Sequence, residues 1–301
     1  IHGTKSGVAH LISKTEKECI GKIKKLLSYL PSNNIDNPPE IIGNDTTKRK
    51  NKSLKSIVPK DSSKPYDVRE VINEVLDKGS FFEIMEEYAQ NAVTGLARLN
   101  NKVVGLVANQ PMVLAGCLDI NSSDKISRFV RWMDTMNIPL INFVDVSGYL
   151  PGTDQEHKGV IRHGAKMLYA YAEASVPKIS VIMRKAYGGA YIALASKELG
   201  YDQVMAWPQA EIAVMGAEQA VNIVHRKELK NDPKQAKRKQ YVKEYKQQFL
   251  NPHDAAQSGK IDLIIDPKDT RKILAKSLAL LSSKRIVSPS RPLKKHGNIP
   301  L

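Results

Sequence analysis

The strongest constraint on the fold is a glycine pair placed between a buried strand and a helix. The apolar run Ile179–Met183 predicts the strand, Ile192–Leu199 is typical of a helix, and Gly188-Gly189-Ala190 lies between them. Such a junction points several backbone N–H groups in one direction, and the small side chains let a ligand approach them. It can therefore hold developing negative charge on an oxygen without any ionisable residue. Taken alone, the pattern also fits an ordinary strand–helix turn.

The composition is typical of an α/β protein. The 301 residues are 42% hydrophobic but only 6% aromatic, which favours a core of small aliphatic side chains over an aromatic-rich β-sandwich. The longest apolar stretches, such as Val103–Leu118, contain polar or proline breaks and do not predict a membrane span. Cys19 and Cys117 lie far apart without metal-type partners, which predicts free thiols and a cytoplasmic location.

The formal net charge of +15 raises the question of nucleic-acid binding. The excess is diffuse and dominated by lysine, and its densest runs are residues 48–52 and 227–246. No nucleic-acid motif and no aromatic stacking platform accompanies them. The charge therefore favours a solvated surface, with attraction of an anionic ligand such as a coenzyme phosphate as a secondary interpretation.

Two units are predicted along the chain. The sequence begins at Ile1 in a loop-like stretch, from which we infer a fragment of a longer protein. Apolar residues recur at helical spacing over residues 14–30, which predicts an amphipathic helix that ends at Pro31. Residues 31–61 are polar and are predicted to be an extended linker. A compact unit is expected from Lys64 onward.

Beyond Lys64 the predicted elements follow a strand–strand–helix rhythm rather than strict alternation. The predicted strands are Phe81–Tyr88, Ala92–Leu99, Lys102–Asn109, Pro139–Val146, Lys178–Met183, Val204–Ala206, Ile212–Met215 and Asp262–Ile265. The predicted helices are Asp67–Leu76, Ser122–Met136, Gln155–Ala174, Ala217–Val224, Pro233–Leu250, Asn251–Ser258 and Pro267–Ser283. Asn100-Asn101 predicts a hairpin turn, and Ile286–Leu301 an extended basic tail.

The usual catalytic motifs are missing. The sequence contains no GxSxG, Walker loop, HExxH or GxGxxG motif. None of the seven histidines pairs with a cysteine at metal-ligand spacing, so no metal site is expected. His163 on a predicted helix is a candidate general base, although a polar partner of that helix is the more common role for such a residue.

Three glycine-marked turns each follow a predicted strand and precede a helix. They are Ala108–Gly116, Asp145–Gly152 and Tyr187–Ala190. Ligands of open α/β sheets gather at such strand ends, so the three turns predict one shared pocket. Asp145 is a candidate acid–base group, but a hydrogen bond that fixes its turn is commoner. Gly216 marks a fourth turn, which either closes the pocket or is a plain β–α turn. An enzyme with this site would stabilise an oxyanion or enolate with backbone amides, and another molecule would supply the reactive group.

The sequence resembles the carboxyltransferase β subunit of biotin-dependent acyl-CoA carboxylases, notably the propionyl-CoA type. The main stretch of resemblance is residues 143–194, which contain VDVSGYLPG and RKAYGGAYIAL. Further matches are Leu26–Asn34, Ala108–Pro111, Ala115–Ile120, Ala206–Pro208, Ala213–Gly216 and Ala220–Ile223. The resemblance runs from Gly3 to Pro292 without a large gap.

This resemblance implies a crotonase-like fold, a superhelix of ββα turns. Residues 1–63 would be the last helix of an N-terminal carboxyltransferase domain plus a linker, and residues 64–301 the C-terminal, biotin-side domain. The active site would lie between the N domain of one subunit and the C domain of its partner, in a hexamer built from dimers. Biotin would be carried by a biotin carboxylase or carrier subunit, and acyl-CoA would be the second substrate.

The resemblance also assigns residue roles. Gly189 and Ala190 would form the oxyanion hole for the biotin ureido oxygen. The other matched residues would line the site: Gly116, Gly148, Tyr187 and Gly188 on the biotin side, and Ile192 beside the acyl pocket. The second oxyanion hole, for the acyl-CoA thioester, would belong to the N-terminal domain, so the isolated chain is expected to be inactive.

Ser147 and Tyr149 depart from the Pro and Phe of the family pattern, but they leave every backbone donor in place. These changes affect substrate preference more than reaction type. Three alternatives stay open: a biotin-dependent decarboxylase or transcarboxylase subunit, a non-biotin crotonase-like enzyme, and a basic nucleic-acid-binding protein.

Overall fold

The computed structural model describes residues 1–43, 45–229 and 236–284. The tail predicted at Ile286–Leu301 and the start of the helix predicted at Pro233 lie outside these residues. The strands are β1 Phe82–Ile84, β2 Ala92–Leu99, β3 Lys102–Asn109, β4 Leu140–Val146, β5 Lys178–Tyr187, β6 Gln203–Ala206, β7 Glu211–Ala213 and β8 Leu263–Ile264. The helices are α1 Glu16–Leu27, α2 Leu54–Ile57, α3 Val68–Val75, α4 Ile120–Thr135, α5 Thr153–His157, α6 Val160–Glu173, α7 Gly188–Ala195, α8 Ala217–Val224, α9 Arg226–Leu229, α10 Ala236–Phe249, α11 Pro252–Gln257 and α12 Thr270–Leu280.

The strands form one mixed sheet in the order β1-β2-β3-β4-β5-β6-β8, and β7 pairs with the far end of β5. The β1–β2 and β2–β3 pairs are antiparallel, whereas every pair from β3 onward is parallel. Every residue of β4 and β5 is buried, as expected of central parallel strands. The carboxyl ends of β3, β4 and β5 therefore lie side by side at one edge of the sheet.

Two hydrophobic cores cover the two faces of this sheet. Along β5, Ile182 belongs to the core beneath α4, α6 and α7, whereas its neighbours Val181 and Met183 belong to the core beneath α3 and α12. Successive side chains of a strand point to opposite faces, so one continuous apolar strand supplies both cores. Burial of each such aliphatic side chain contributes about 1.5–3 kcal/mol to the stability of the fold. The sheet is therefore stabilised from both faces.

The β2–β3 hairpin confirms the turn predicted at Asn100-Asn101. Both residues have positive φ angles, 52° and 71°. Two consecutive left-handed residues are the requirement of a type I′ turn, and asparagine tolerates that conformation better than most residues. The pairing then runs in register from Leu99–Lys102 to Ala92–Asn109.

Several predicted elements were wrong in extent. The helix predicted at Ile192–Leu199 begins earlier, at Gly188, and ends at Ala195. The strand predicted at Phe81–Tyr88 ends at Ile84, because Met85 and Ala89 have positive φ angles of 59° and 45°. The single helix predicted at Gln155–Ala174 is divided into α5 and α6, because Gly159 adopts a left-handed φ of 87° between them. The strand predicted at Lys178–Met183 is correct in position but continues to Tyr187.

Before Lys64, a few residues reach the two cores although most of the segment is exposed. The side chain of Thr15 caps the start of α1, and the helix ends before Tyr29, which is buried in the core. The segment predicted to be an extended linker contains the short helix α2, and its Leu54 and Val58 are buried in the core beneath α3 and α12. The domain boundary at residues 63 and 64 stays a prediction.

Within the described ranges, no helix combines the length and the apolar character needed to cross a membrane.

Candidate active site

The structure brings the three predicted glycine turns to the same edge of the sheet. Gly116 lies in the loop after β3, Gly148 lies two residues after the end of β4, and Gly188 directly follows β5. β3, β4 and β5 are neighbouring parallel strands, so their carboxyl ends meet. The fourth turn joins them, because β7 pairs with Lys185–Tyr187 and Gly216 is then the N-cap residue of α8. In open α/β sheets this edge is where ligands bind.

The Gly188–Ala190 junction exposes the N-terminus of α7. Tyr187 occupies the N-cap position but gives no side-chain hydrogen bond to the first helical amides. The first N–H groups of a helix have no partner within the helix, and the helix dipole adds positive potential there. Gly189 is exposed and Ala190 is buried directly behind it. The junction therefore offers backbone donors to an anionic or strongly polarised oxygen.

The left-handed conformation of Gly188 sets the direction in which α7 leaves β5. Its φ is 59°, and a Cβ built there would lie 3.1 Å from the carbonyl oxygen of Val214. Gly189 has no such constraint, because a Cβ there would be in ordinary contact with the Tyr149 ring at 3.5 Å. The two glycines thus differ in role: Gly188 is required by the backbone, whereas Gly189 leaves open the space in front of the donors.

Tyr149 forms an aromatic wall next to these donors. Its ring lies over Gly164 of α6, where an added Cβ would approach the ring to 2.9 Å, and also reaches Gly189. Burial raises the pKa of Tyr149 to about 12, so the phenol is neutral at ordinary pH. The sequence departure at this position therefore keeps an uncharged flat surface beside the α7 amides.

The Gly116 and Gly148 turns are linked by backbone hydrogen bonds. The N–H of Leu118 donates to the carbonyl of Gly148 at 3.0 Å, and the N–H of Leu150 donates to the carbonyl of Leu118 at 2.7 Å. Gly116 has a φ of 74°, and a Cβ there would come within 2.7 Å of the Asp145 carbonyl oxygen. Close backbone packing therefore demands glycine at this position. In contrast, nothing lies within 4 Å of a Cβ built on Gly148, so that turn faces open space.

Asp145 has a structural role rather than an acid–base one. Its carboxylate is fully buried, pairs with Arg184 Nε at 2.9 Å, and accepts a hydrogen bond from the Lys185 N–H at 3.1 Å. This backbone N–H belongs to β5 and not to the turn after β4, so the carboxylate joins two strands instead of fixing its own turn as predicted. The sequence did not predict the ion pair, in which Arg184 also donates to the carbonyls of Asp61 and Lys64.

Tyr187 anchors the other side of the junction. Its phenol donates a hydrogen bond to Glu211 of β7, whose second oxygen accepts from Lys246 of α10 at 3.1 Å. Burial, together with the adjacent Glu211 carboxylate, raises the pKa of Tyr187 far above its usual value. The tyrosine is therefore a fixed neutral donor, and its ring also packs beside Gly216.

Two further predicted residues lie on helices beside this edge. Ile192 is on α7, one turn after the glycines, with 46% of its surface exposed. His163 on α6 pairs with the Asp124 carboxylate of α4 at 2.8 Å. That contact joins two helices, in agreement with the polar-partner interpretation. Among the residues that the structure describes, no cluster of three or more His, Cys, Asp or Glu side chains is arranged to hold a metal.

This fold and site define an open α/β protein with uncapped backbone donors at the carboxyl edge of its sheet. Residues 1–299 match the family model of the carboxyl transferase domain, and the chain belongs to that family.

The chain is 54% identical over 302 residues to the carboxyltransferase subunit of propionyl-CoA carboxylase from Haloferax mediterranei, covering 100% of this chain and 58% of that protein. It is 51% identical over 300 residues to methylmalonyl-CoA decarboxylase subunit alpha from Veillonella parvula, covering 100% of this chain and 57% of that protein. A crystal structure of the transcarboxylase 12S hexamer with methylmalonyl-coenzyme A bound matches all of this chain and 57% of its own, with a TM-score of 0.92 and 49% identity.

These matches confirm the resemblance found in the sequence, and the fold is the crotonase-like fold of carboxyltransferases. The chain spans less than three-fifths of the length of these relatives.

Proposed function

We propose that this chain is the biotin-side half of a carboxyltransferase that moves a carboxyl group from carboxybiotin to propionyl-CoA or acetyl-CoA. The observation that carries the proposal is the exposed N-terminus of α7 behind Gly188-Gly189, at the edge where three parallel strands end. The family of the chain and its 54% identity to a propionyl-CoA carboxylase subunit support it.

The residues at this edge suit the neutral, flat ureido ring of biotin. Gly189 leaves space in front of the donors, Gly148 faces open space, and Tyr149 supplies an uncharged aromatic wall. The buried Asp145 carboxylate does not compete for the donors, because it is already paired with Arg184. A ligand with a polar carbonyl and an otherwise apolar ring therefore matches the chemistry of the site.

Each residue is assigned one role. The amides of Gly189 and Ala190 donate to the ureido oxygen, while Tyr187, Gly188, Gly148 and Gly116 shape the biotin side. Ile192 faces the acyl group of the second substrate with an apolar surface. The transfer breaks the bond between the carboxyl carbon and the ureido nitrogen and forms a carbon–carbon bond at the acyl α-carbon, whose proton passes to that nitrogen. The chain itself holds the oxygen on which negative charge develops.

The partners follow from this assignment. We propose that a biotin carboxylase or carrier subunit brings the biotin and that acyl-CoA is the other substrate. We further propose that residues 1–63 end an N-terminal carboxyltransferase domain and residues 64–301 form the C-terminal one. A homo-hexamer of dimers is the proposed assembly, supported by the hexamer of the similar transcarboxylase 12S. A cytoplasmic location is proposed from the two unpaired cysteines.

A decarboxylase or transcarboxylase subunit is the second candidate. The 51% identity to a methylmalonyl-CoA decarboxylase subunit favours it almost as strongly as the first candidate. All of these activities use the same exchange of a carboxyl group between biotin and an acyl-CoA, so one site geometry serves each of them.

The test is reconstitution of the full-length gene product with a biotin carboxylase and its biotin carrier. We expect ATP-dependent carboxylation of acyl-CoA, measured with acetyl-, propionyl- and butyryl-CoA and radiolabelled bicarbonate. Carboxyl exchange without any ATP-dependent carboxylation would favour the second candidate. Absence of both activities, in a preparation whose carrier is biotinylated, would contradict carboxyl transfer altogether.

A further inference from the structure

Lys125 of α4 is a buried cation bound by backbone carbonyls. Only 1% of its surface is exposed, and its Nζ donates to the carbonyl oxygens of Met85, Tyr88 and Ala92 at 2.9, 2.7 and 2.7 Å. Ala89 adds a longer contact at 3.4 Å. Burying an ammonium is costly unless its hydrogen bonds are satisfied, and here one turn of the chain satisfies them.

That turn, Met85–Ala92, has a shape that the sequence does not favour. Met85 and Ala89 both adopt positive φ angles, although neither is glycine or asparagine. Such conformations persist when the surrounding structure holds them. The Lys125 ammonium donates hydrogen bonds to carbonyls at both ends of the turn, and it therefore holds the turn in this conformation.

Asn91 connects the turn to the loop after β3. It is 2% exposed, and its side-chain Nδ2 donates to the carbonyl of Cys117 at 2.8 Å and to Asp119 Oδ1 at 3.0 Å. The backbone carbonyl of Asn91 accepts from the N–H of Gln110 at 2.9 Å. Both ends of the loop that contains Gly116 are therefore held by Asn91.

The next residue, Leu118, carries the connection to the candidate site. Its N–H donates to the carbonyl of Gly148, and its carbonyl accepts from the N–H of Leu150. An unbroken path of short contacts thus runs from the Lys125 ammonium to the Gly148 turn. We propose that Lys125 is a positioning residue for the biotin side of the site, acting through Asn91 on the Gly116 and Gly148 turns. The kinetic part of this proposal rests on the proposed function.

The chain supplies a matched control in Lys178. This lysine is 2% exposed and donates to the carbonyls of Tyr171 at 2.5 Å and Leu199 at 2.9 Å. Burial lowers the pKa of Lys125 and of Lys178 alike to about 8. Lys178 begins β5, whereas Gly188 follows the last residue of that strand, so the control lies at the opposite edge of the sheet.

The first measurement is hydrogen exchange in the full-length gene product carrying Lys125→Met or Lys178→Met. We expect Lys125→Met to accelerate exchange of the Leu118 and Leu150 amides by roughly tenfold and Lys178→Met to leave them unchanged. Asn91→Ala keeps the lysine but cuts the path, and it should give the same acceleration. It also keeps the test falsifiable if Lys125→Met does not fold. Equal exchange at these two amides in wild type and Asn91→Ala would overturn the proposal.

The second measurement is the kinetics of carboxyl transfer from methylmalonyl-CoA to free biotin. We expect Lys125→Met and Asn91→Ala each to raise the KM for biotin by roughly tenfold, with little change in the KM for methylmalonyl-CoA. The double variant should lose less than the two single losses combined, because both act on one path. An equal rise in both KM values would overturn the positioning role. No transfer by the wild type would contradict the proposed function, while the exchange measurement would still decide the inference.

Discussion

The carboxyl ends and the amino ends of the parallel strands form two edges of the sheet, and different chemical groups line them. At the carboxyl edge, the ends of β3, β4 and β5 are followed by glycine turns and by backbone amides of α7. At the amino edge, a cavity of about 240 Å³ is lined instead by side chains, among them Lys102, Ser175 and Lys284. This cavity therefore lies at one edge, where Lys102 pairs with Glu40 and Lys284 pairs with Asp202, and the backbone donors of α7 lie at the other.

The presence of a cavity and the presence of backbone hydrogen-bond donors are therefore separate properties of the two edges. β5 leads at its carboxyl end directly into α7, and α6 ends shortly before its amino end. The first amides of a helix have no partner within the helix, so α7 offers its amides at the carboxyl edge. In the part of the chain that the structure describes, the uncapped amides of α7 consequently lie at the carboxyl edge, whereas the cavity of about 240 Å³ lies at the amino edge. The predictions below perturb the two edges in turn.

The largest expected effect is the loss of the buried ion pair beneath the carboxyl edge. Asp145→Ala leaves the Arg184 guanidinium buried without its carboxylate, and we expect a loss of about 3–5 kcal/mol in the free energy of unfolding. Urea denaturation of the full-length gene product measures it. Asp154→Ala is the matched control, because that carboxylate is exposed in an i,i+4 pair with Lys158 and should cost less than about 1 kcal/mol. A loss below 1 kcal/mol in Asp145→Ala would contradict the structural role.

Filling the space in front of the donors is the second perturbation. Gly189→Val is compatible with the backbone, yet its methyl groups occupy the approach to the α7 amides. We expect carboxyl transfer to fall by roughly 10²–10³-fold, the loss typical of a disabled oxyanion hole. Gly21→Val on α1 places the same side chain in open space on another helix and should keep the wild-type rate. A near-normal rate in Gly189→Val would show that the oxyanion assignment is wrong.

The neighbouring glycine gives a smaller effect of another kind. Gly188→Ala places an alanine at a left-handed φ of 59°, with its Cβ close to the Val214 carbonyl oxygen. We therefore expect a loss of roughly 1–2 kcal/mol in the free energy of unfolding. Gly189→Ala, whose Cβ has room, should retain wild-type stability within about 0.5 kcal/mol. Thermal unfolding of the two variants measures the difference. Equal melting temperatures would contradict the separate roles of the two glycines.

The smallest effect is expected at the amino edge. Lys102 lines the cavity and pairs with the exposed Glu40 at 3.6 Å, a contact of the kind that contributes about 0–1 kcal/mol. Lys102→Ala should therefore leave the rate of carboxyl transfer unchanged. A large loss of rate at wild-type stability would show that this edge also takes part in the reaction.

Local patterns predicted the elements whose causes are local. The Asn100-Asn101 hairpin and the Gly188 junction follow from residues that tolerate left-handed backbone, and both were predicted correctly. The buried strand β4 follows from its continuous apolar run. All three depend on residues within a few positions of each other.

Other features depend on residues far apart in the chain. The strand predicted from Phe81 stops early because Lys125, about forty positions away, gathers the carbonyls of its second half. The path from Asn91 to Gly148 joins turns that no periodicity relates. The Arg184–Asp145 pair likewise links two strands. A lysine within the apolar face of the predicted helix Ser122–Met136 was the one available signal for Lys125, since a buried cation demands partners.

The most direct test of the central claim is a crystal structure of the full-length gene product with biotin bound. If backbone donors at the carboxyl edge form the oxyanion hole, the ureido oxygen will lie about 2.7–3.1 Å from the amide nitrogens of Gly189 and Ala190. Biotin bound with its ureido oxygen on side-chain donors, or at the cavity beside Lys102 and Lys284, would contradict it.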